Sequence, residues 1–528
     1  MSNLTDLLPA GAGGKQVSFT ASGAIAQGKP VILNTAGTVT EVGESTTVVS
    51  DDFLAGSAAG TTVGTYPVEG VNVAFDSGDS DKYIYVYADG NDSRKLKGYV
   101  GTISGSGGST SISVGTTQVI ITGRSYVKGL AADPNNAGKF FLAYSDEDDS
   151  YKGKCVIVTL SGTTLTAGTA VEYDDALIAT NDDSQVCADP NVENQFLIVY
   201  RESGSSATGK ARVATVSGTS ITLGTAATFE SSTNGIEYPK VFASPKDSGK
   251  FVVLYRDDDN SFYGTAQTLS VSGTTITTNT AVVFQSANPG ISFCGAFNPD
   301  VSGEFLVFFG GYLSGVYANR QWQGVVGTLN TSTNALTFTS AVGAGNNGEN
   351  AGNGAICAVG GQTNKFLMSY DITNTGSAQY LLQSIATISS GAVTFGTRNT
   401  TISNETYGNG LITVANDPNN FGRCVTGYAD NATTPKERSF ITEVGGSYVS
   451  SNLTATNFIG IADAAISDTA SGNITIKGGI AANGLSSLTP GSVYYVQTDG
   501  TFSTTADDPS VEAGKALSAT SINLEYSS

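Results

Sequence analysis

Lys250-Phe251-Val252-Val253-Leu254-Tyr255, continued by Arg256-Asp257, reads as a strand without a polar face. Side chains alternate along a strand, so Phe251, Val253 and Tyr255 point one way while Val252 and Leu254 point the other. Both faces therefore need apolar cover. The same aromatic-bounded text recurs from Tyr83 to Tyr87, Phe140 to Tyr144, Phe196 to Tyr200, Phe305 to Phe309 and Phe366 to Tyr370. A seventh copy, Cys424 to Tyr428, has lost its first aromatic. The closing residues of successive copies lie 57, 56, 55, 54, 61 and 58 positions apart. Two landmarks keep step with them. Asp76, Asp133, Asp189, Ser244, Asn298, Val359 and Asp417 stand 11 residues before the closing residue, several of them followed by Pro. A Ser-Gly turn ends 18 residues after it, at Gly105, Gly162, Gly218 and Gly273. Self-similarity at a near-constant period signals a repeat architecture.

Each period holds four short strand-like pieces. In one repeat they are the stretch before the Asp-Pro turn, the aromatic strand, a strand such as Ala211-Arg212-Val213-Ala214-Thr215-Val216, and a Thr-rich piece such as Thr219-Ser220-Ile221-Thr222-Leu223. A sheet stacked between two like sheets covers both faces of the aromatic strand, which is how the blades of a propeller pack. Gly, Thr, Ser and Val suit strands and tight turns, and helical periodicity is nearly absent. The expected fold is all-β: a seven-bladed β-propeller over residues 45–455, completed by a strand from residues 45–65 joining the last blade. An open β-solenoid is the competing architecture.

The remaining pieces lie at the two ends. Residues 1–44 carry Val17-Ser18-Phe19-Thr20, Pro30-Val31-Ile32-Leu33 and Thr38-Val39-Thr40-Glu41, too little to bury a core alone. Residues 456–528 carry Phe458-Ile459-Gly460-Ile461, Ile474-Thr475-Ile476, Val493-Tyr494-Tyr495-Val496 and Ser521-Ile522-Asn523-Leu524. A ring returns the chain to its starting point, so the two ends are expected to form one small β-sandwich or barrel-like domain with the propeller inserted; an independent C-terminal domain with a loose N-terminal arm is the alternative.

Composition narrows the function. The 528 residues carry a net charge of −20 with 26 basic residues and no basic run, which argues against nucleic-acid binding. The absence of histidine removes Ser-His-Asp and Cys-His catalysis and most zinc sites. Cys155, Cys187, Cys294, Cys357 and Cys424 lack C-x-x-C spacing and sit in apolar strands, as buried free thiols do. The opening residues lack the charged and apolar regions of a secretory signal, and no apolar run reaches 18 residues, so membrane insertion is not expected.

Two candidate sites follow. Acidic clusters after the aromatic strands, such as Asp257-Asp258-Asp259-Asn260, offer oxygen ligands of the kind Ca²⁺ takes, with Asp257, Asp259 and Asn260 the ligands. Asp, Asn and Gly also build hairpin turns for local reasons, and that reading is preferred. In the fifth repeat the usual Tyr-x-Asp becomes Phe309-Gly310-Gly311, and a longer excursion holds Tyr312, Tyr317, Arg320 and Trp322, the only tryptophan. Aromatic faces beside amide and guanidinium groups suit a sugar, so these four are the candidate glycan contacts, expected on an exposed rim. No catalytic pair or nucleophile motif stands out, and an enzyme is not expected.

The repeat text Tyr255-Arg256-Asp257, Tyr263-Gly264-Thr265-Ala266 and Val271-Ser272-Gly273-Thr274 resembles repeat proteins of tailed, marine cyanophage-like bacteriophages. The opening Leu7-Leu8-Pro9-Ala10-Gly11 with Gly28-Lys29-Pro30-Val31-Ile32-Leu33 is similar to the start of such virion proteins, and Leu488-Thr489-Pro490-Gly491 with Gly514-Lys515-Ala516-Leu517-Ser518 to a β-rich module of phage fibre and capsid-associated proteins. The resemblance implies a non-enzymatic virion structural protein, made in the host cytoplasm. A fibre or appendage that contacts host-surface glycan is the first expectation. A head decoration protein and a polysaccharide depolymerase are the alternatives. The implied partners are other virion subunits, and the expected assembly for a fibre is a homotrimer.

Overall fold

A computed structural model describes residues 15–49, 54–55, 59–62, 69–79, 81–104, 110–177, 184–202, 207–231, 234–287, 289, 293–311, 321–344, 349–374, 379–398, 412–430, 436–444, 446–454, 456–507 and 509–524. Among them the one helical element is a 3-10 turn, Glu147–Asp149; everything else regular is strand. The chain divides into two compact units, residues 49–446 and residues 1–48 with 447–528.

The larger unit is a series of antiparallel meanders, one per sequence repeat. In the fourth repeat Ile236–Ala243 pairs with Lys250–Asp257, which pairs with Tyr263–Ser272. The outer edge of Tyr263–Ser272 is shared by two short strands, Thr275–Thr278 and Val282–Gln285. The single Thr-rich outer strand expected from sequence is thus broken in two, with the register slipping between Gly264 and Thr265. The first two repeats share one nine-stranded sheet, because Gln118–Ala132 runs unbroken from the outer edge of the first to the inner edge of the second. In the seventh repeat the outer edge comes from the other end of the unit. Leu54–Ala55 and Ala59–Thr62, which precede the first repeat, pair with Lys436–Glu443.

The two-faced aromatic strand explains the packing. Phe251, Val253 and Tyr255 share a cluster with Leu197, Val199 and Val213 of the third repeat. Val252 and Leu254 turn to Phe293, Phe305 and Phe309 of the fifth. The first repeat behaves likewise. Its Ile84, Val86 and Ala88 pack on Phe140, Leu142 and Tyr144 of the second, and its Tyr83, Tyr85 and Tyr87 pack on Val425, Ala429 and Ile441 of the seventh. The Tyr85 hydroxyl donates to the Tyr428 carbonyl at 2.8 Å. Each such side chain contributes about 1.5–3 kcal/mol on burial, so a repeat draws much of its stability from its neighbours. The architecture is β-propeller-like.

Polar bonds run beside these slabs at the Asp-Pro turns. Asp76 accepts from the Gly138 N–H of the second repeat at 2.7 Å, and Asp189 from the Gly249 N–H of the fourth at 2.9 Å. Asn136 donates to Asn194, Ser302 to Asp247, the Asn364 N–H to Asp300 and the Gly360 N–H to Asn416, each across one junction. Asn419 of the seventh repeat donates to the Asp76 carbonyl, and Arg423 pairs with Asp81 at 3.0 Å. Gly138 takes φ +69°, and a Cβ there would lie 2.7 Å from the Leu160 carbonyl oxygen, so this junction needs glycine.

The smaller unit draws on both chain ends. One sheet orders Gln16–Thr20, Ser471–Ile476, Phe458–Ala462, Pro30–Leu33 and Val39–Glu41. A second orders Ile480–Ala481, Ser521–Asn523, Val511–Ser518, Val493–Val496 and Phe502–Ser503. Ile32, Phe458 and Ile461 of the first meet Val496, Val511 and Ile522 of the second in one core. Val31, Val39 and Ile474 face Ala21, Ile25 and Ile466 in another. Gly28 and Gly484 touch backbone to backbone; a Cβ on Gly28 would sit 2.6 Å from the Gly484 carbonyl.

Candidate functional site

The expectation of an exposed Trp322 is corrected. Tyr312, Tyr317 and Arg320 lie outside the described residues, but Trp322 belongs to the strand Gln321–Leu329, paired with Gly310. It is 1% exposed. Its ring stacks on Phe308 at 4.5 Å, tilts against Tyr370 of the sixth repeat, and its Nε1 donates to the Asp371 carbonyl at 2.8 Å. Apolar cover on both faces plus a partner for the N–H is what a buried indole needs. Gly354 makes the room, since a Cβ there would lie 2.4 Å from the indole ring.

The acidic loops are held by their own chain. The Asp257 carboxylate accepts from the Asn260 N–H at 3.1 Å, closing the turn, and burial raises its pKa. Asp259 accepts from the Asn234 N–H at 2.7 Å and from its side-chain amide. Asp258 pairs with Arg256 at 2.8 Å. In the second repeat Glu147 is gripped by Arg94 and Arg124, and Asp146 and Asp149 by Lys154. Among the described residues no group of three acidic, Cys or His side chains is placed to hold a metal; the Asp257 carboxylate closes its own turn with the Asn260 N–H, and the Asp259 carboxylate holds Asn234.

A different site emerges on the inner strands. Every repeat contributes to the lining of one cavity of about 150 Å³. Its polar lining is Asn72, Lys128, Gln185, Lys240, Cys294 and Thr413. The register places these at one level. Asn72, Gln185, Lys240, Cys294 and Thr413 oppose Val86, Val199, Leu254, Phe308 and Gly427, each one residue before the closing residue of its repeat's aromatic strand. Lys128 occupies a bulge between Val127, opposite Tyr144, and Gly129, opposite Ala143. Lys128 is 7% exposed, its Nζ 5.9 Å from the centre of the Tyr126 ring. The Gln185 Oε1 accepts from the Val241 N–H at 2.6 Å. The Cys294 Sγ turns to the Phe308 carbonyl, and burial pushes its thiol up to about 12.

Among the described residues no carboxylate lines this cavity. Glu237, on the same inner strand as Lys240, is engaged by Arg256. Asp371 of the sixth repeat accepts from the Asn353 N–H at 2.8 Å, and burial raises it to about 7. The site escaped sequence reading because its members are about one repeat apart and one of them owes its place to a bulge.

No protein-family model and no curated protein matches the chain. Among solved structures, a protein from Lactobacillus plantarum is similar over 71% of this chain and 99% of its own, at 14% identity and a TM-score of 0.43. The Aleuria aurantia lectin is similar over 65% of this chain and 99% of its own, at 11% identity and a TM-score of 0.36. A GH74 xyloglucanase from Xanthomonas campestris is similar over 72% of this chain and 55% of its own, at 10% identity and a TM-score of 0.40.

Proposed function

We propose that this chain is a non-enzymatic structural protein of a bacteriophage virion, a fibre or appendage subunit whose seven repeats close into a seven-bladed propeller. The observation that carries the reading is how the chain is finished. Leu54–Ala55 and Ala59–Thr62 complete the sheet of the last repeat, the first and last repeats share an apolar slab, and the two chain ends are folded into one sheet. Such construction suits a rigid building block that attaches through one compact unit. The buried turn carboxylates support it too: Asp76, Asp133, Asp189 and Asp417 are spent on backbone and amide N–H groups of turns and junctions.

Host-glycan contact through Tyr312, Tyr317 and Arg320 remains part of the proposal, without Trp322. A homotrimer is the proposed assembly, measurable by sedimentation. The deciding experiment is immunogold labelling of purified particles. Label on tail appendages supports the reading, and label on the head shifts it to a decoration protein. Particles free of label overturn it. Reducing sugar released from host polysaccharide by the purified protein would instead make it a depolymerase.

A further inference from the structure

The seventh repeat departs from the others at one packing position, and the departure brings two thiols together. At successive junctions, the inner-strand residue two before the turn landmark falls in one apolar cluster with the first aromatic of the next repeat's two-faced strand. Ala131 is grouped with Phe196 in this way, Phe242 with Phe305, and Ala296 with Phe366. Between the sixth and seventh repeats both positions are cysteine. Cys357 stands where Ala131 and Phe242 stand, and Cys424 replaces the lost aromatic. Their Sγ atoms lie 3.7 Å apart, although the residues are 67 positions apart in the chain.

Packing alone does not call for a thiol at either place, since Ala serves at the first and Phe at the second in other repeats. Other cysteines are turned to the backbone instead: the Cys155 Sγ donates to the Val171 carbonyl at 3.5 Å and the Cys294 Sγ to the Phe308 carbonyl at 3.7 Å. A disulfide holds its sulfurs about 2.05 Å apart, so this pair is short of a bond by only about 1.7 Å. The two thiols also differ in access. Cys424 is 0% exposed, while Cys357 is only partly buried at the margin of the same cluster. A small oxidant therefore meets Cys357 first, with Cys424 behind it as the resolving thiol.

We propose that Cys357 and Cys424 are a redox modification site, a reversible disulfide formed by peroxide that ties the sixth repeat to the seventh. The Cys357 sulfur attacks one oxygen of hydrogen peroxide. The O–O bond breaks, Cys357 becomes a sulfenic acid, and water leaves with the thiol proton. The Cys424 sulfur then attacks the Cys357 sulfur. The S–S bond forms as the S–O bond breaks, and the departing hydroxide takes the Cys424 proton as a second water. In all, two thiols give up two electrons and two protons, and one peroxide becomes two waters. The site concerns the covalent state of one junction and stands whether or not the chain belongs to a virion.

The test treats the full-length native protein with a small excess of hydrogen peroxide, removes the peroxide with catalase, and counts thiols after unfolding in denaturant. The count should fall from five to three, and dithiothreitol should restore it. Peptide mapping should find one cross-link, Cys357 to Cys424, within a single chain. The urea midpoint should rise on oxidation, because the bond constrains the unfolded chain. Cys357→Ala should show neither cross-link nor midpoint shift, and Cys187→Ala should show both. Should Cys357→Ala fail to fold, the mapped cross-link in the parent protein decides alone. Five thiols remaining after treatment would overturn the inference. So would a cross-link between other cysteines or between two chains, or sulfinic acid at Cys357 with Cys424 still free.

Discussion

Replacing Asp371 by Asn should change how stability depends on pH, in a direction the structure dictates. Asp371 is 1% exposed, and its carboxyl accepts from the Asn353 N–H at 2.8 Å. Burial is the largest influence on it and raises its pKa from 3.8 to about 7, against the lowering effect of bonds from Asn353 and Gly352. The folded protein therefore keeps a proton that the unfolded chain releases near pH 4. Below that pH both states are protonated and the contribution is fully present. As pH rises toward about 7, stability is lost, because the folded state binds more protons than the unfolded one. Above about 7 the loss is complete. At 1.36 kcal/mol per pH unit the whole effect is on the order of 4 kcal/mol. The amide introduced by the substitution cannot ionise. Asp371→Asn should thus be more stable than the parent at pH 8. At pH 4 it should be equal or about 1 kcal/mol less stable, since its amide nitrogen meets the donors beside Asn353. Urea unfolding of both proteins from pH 4 to pH 8.5 isolates the contribution, because every other titrating group cancels in the difference. A flat difference across this range, or a variant less stable than the parent at pH 8, would refute the reasoning.

Four further outcomes are expected. Trp322→Ala should cost about 3–5 kcal/mol by denaturant unfolding, as removal of a buried aromatic does, and in the parent protein emission of the single tryptophan should be unquenched by added glycans. Asp76→Ala should cost about 1–3 kcal/mol, because the Gly138 and Gly78 N–H groups lose their acceptor; an unchanged midpoint would show that this junction bond is dispensable. A chain of residues 49–446 should melt higher than one of residues 69–446, which lacks the strands paired with Lys436–Glu443; equal melting would deny them a closing role. Cys155, with its thiol raised to about 12 by burial, and Cys424, raised by the Cys357 thiol beside it and by burial, should resist Ellman's reagent until the protein is unfolded. Fast labelling of either in the native protein would contradict their burial.

Much of the architecture was legible in the chain because it is written in short-range alternation. A strand apolar on both faces, such as Phe251 to Tyr255, can only be covered from two sides. The slabs between Tyr255 and Leu197 on one side and Leu254 and Phe293 on the other are that requirement met. The short strands at the amino end called for a partner for the same reason: they are too few to bury a core alone, and Pro30–Leu33 pairs with Phe458–Ala462.

What the tertiary structure decided is which side chains meet across a whole repeat. Nothing local distinguishes a tryptophan on a loop from one at the start of a strand; Phe308, Tyr370 and the Asp371 carbonyl, all distant in sequence, make Trp322 a core residue. Asp76 looks like a turn former, yet its carboxylate also reaches Gly138, 62 residues on. Lys128 and Lys240 lie on inner strands two repeats apart. They share a cavity because a bulge shifts Lys128 out of register and packing between repeats brings the inner strands together. Alternation along a strand is a property of the backbone and can be read in the sequence; the level at which separate strands align is set by packing between sheets, which only the folded chain contains.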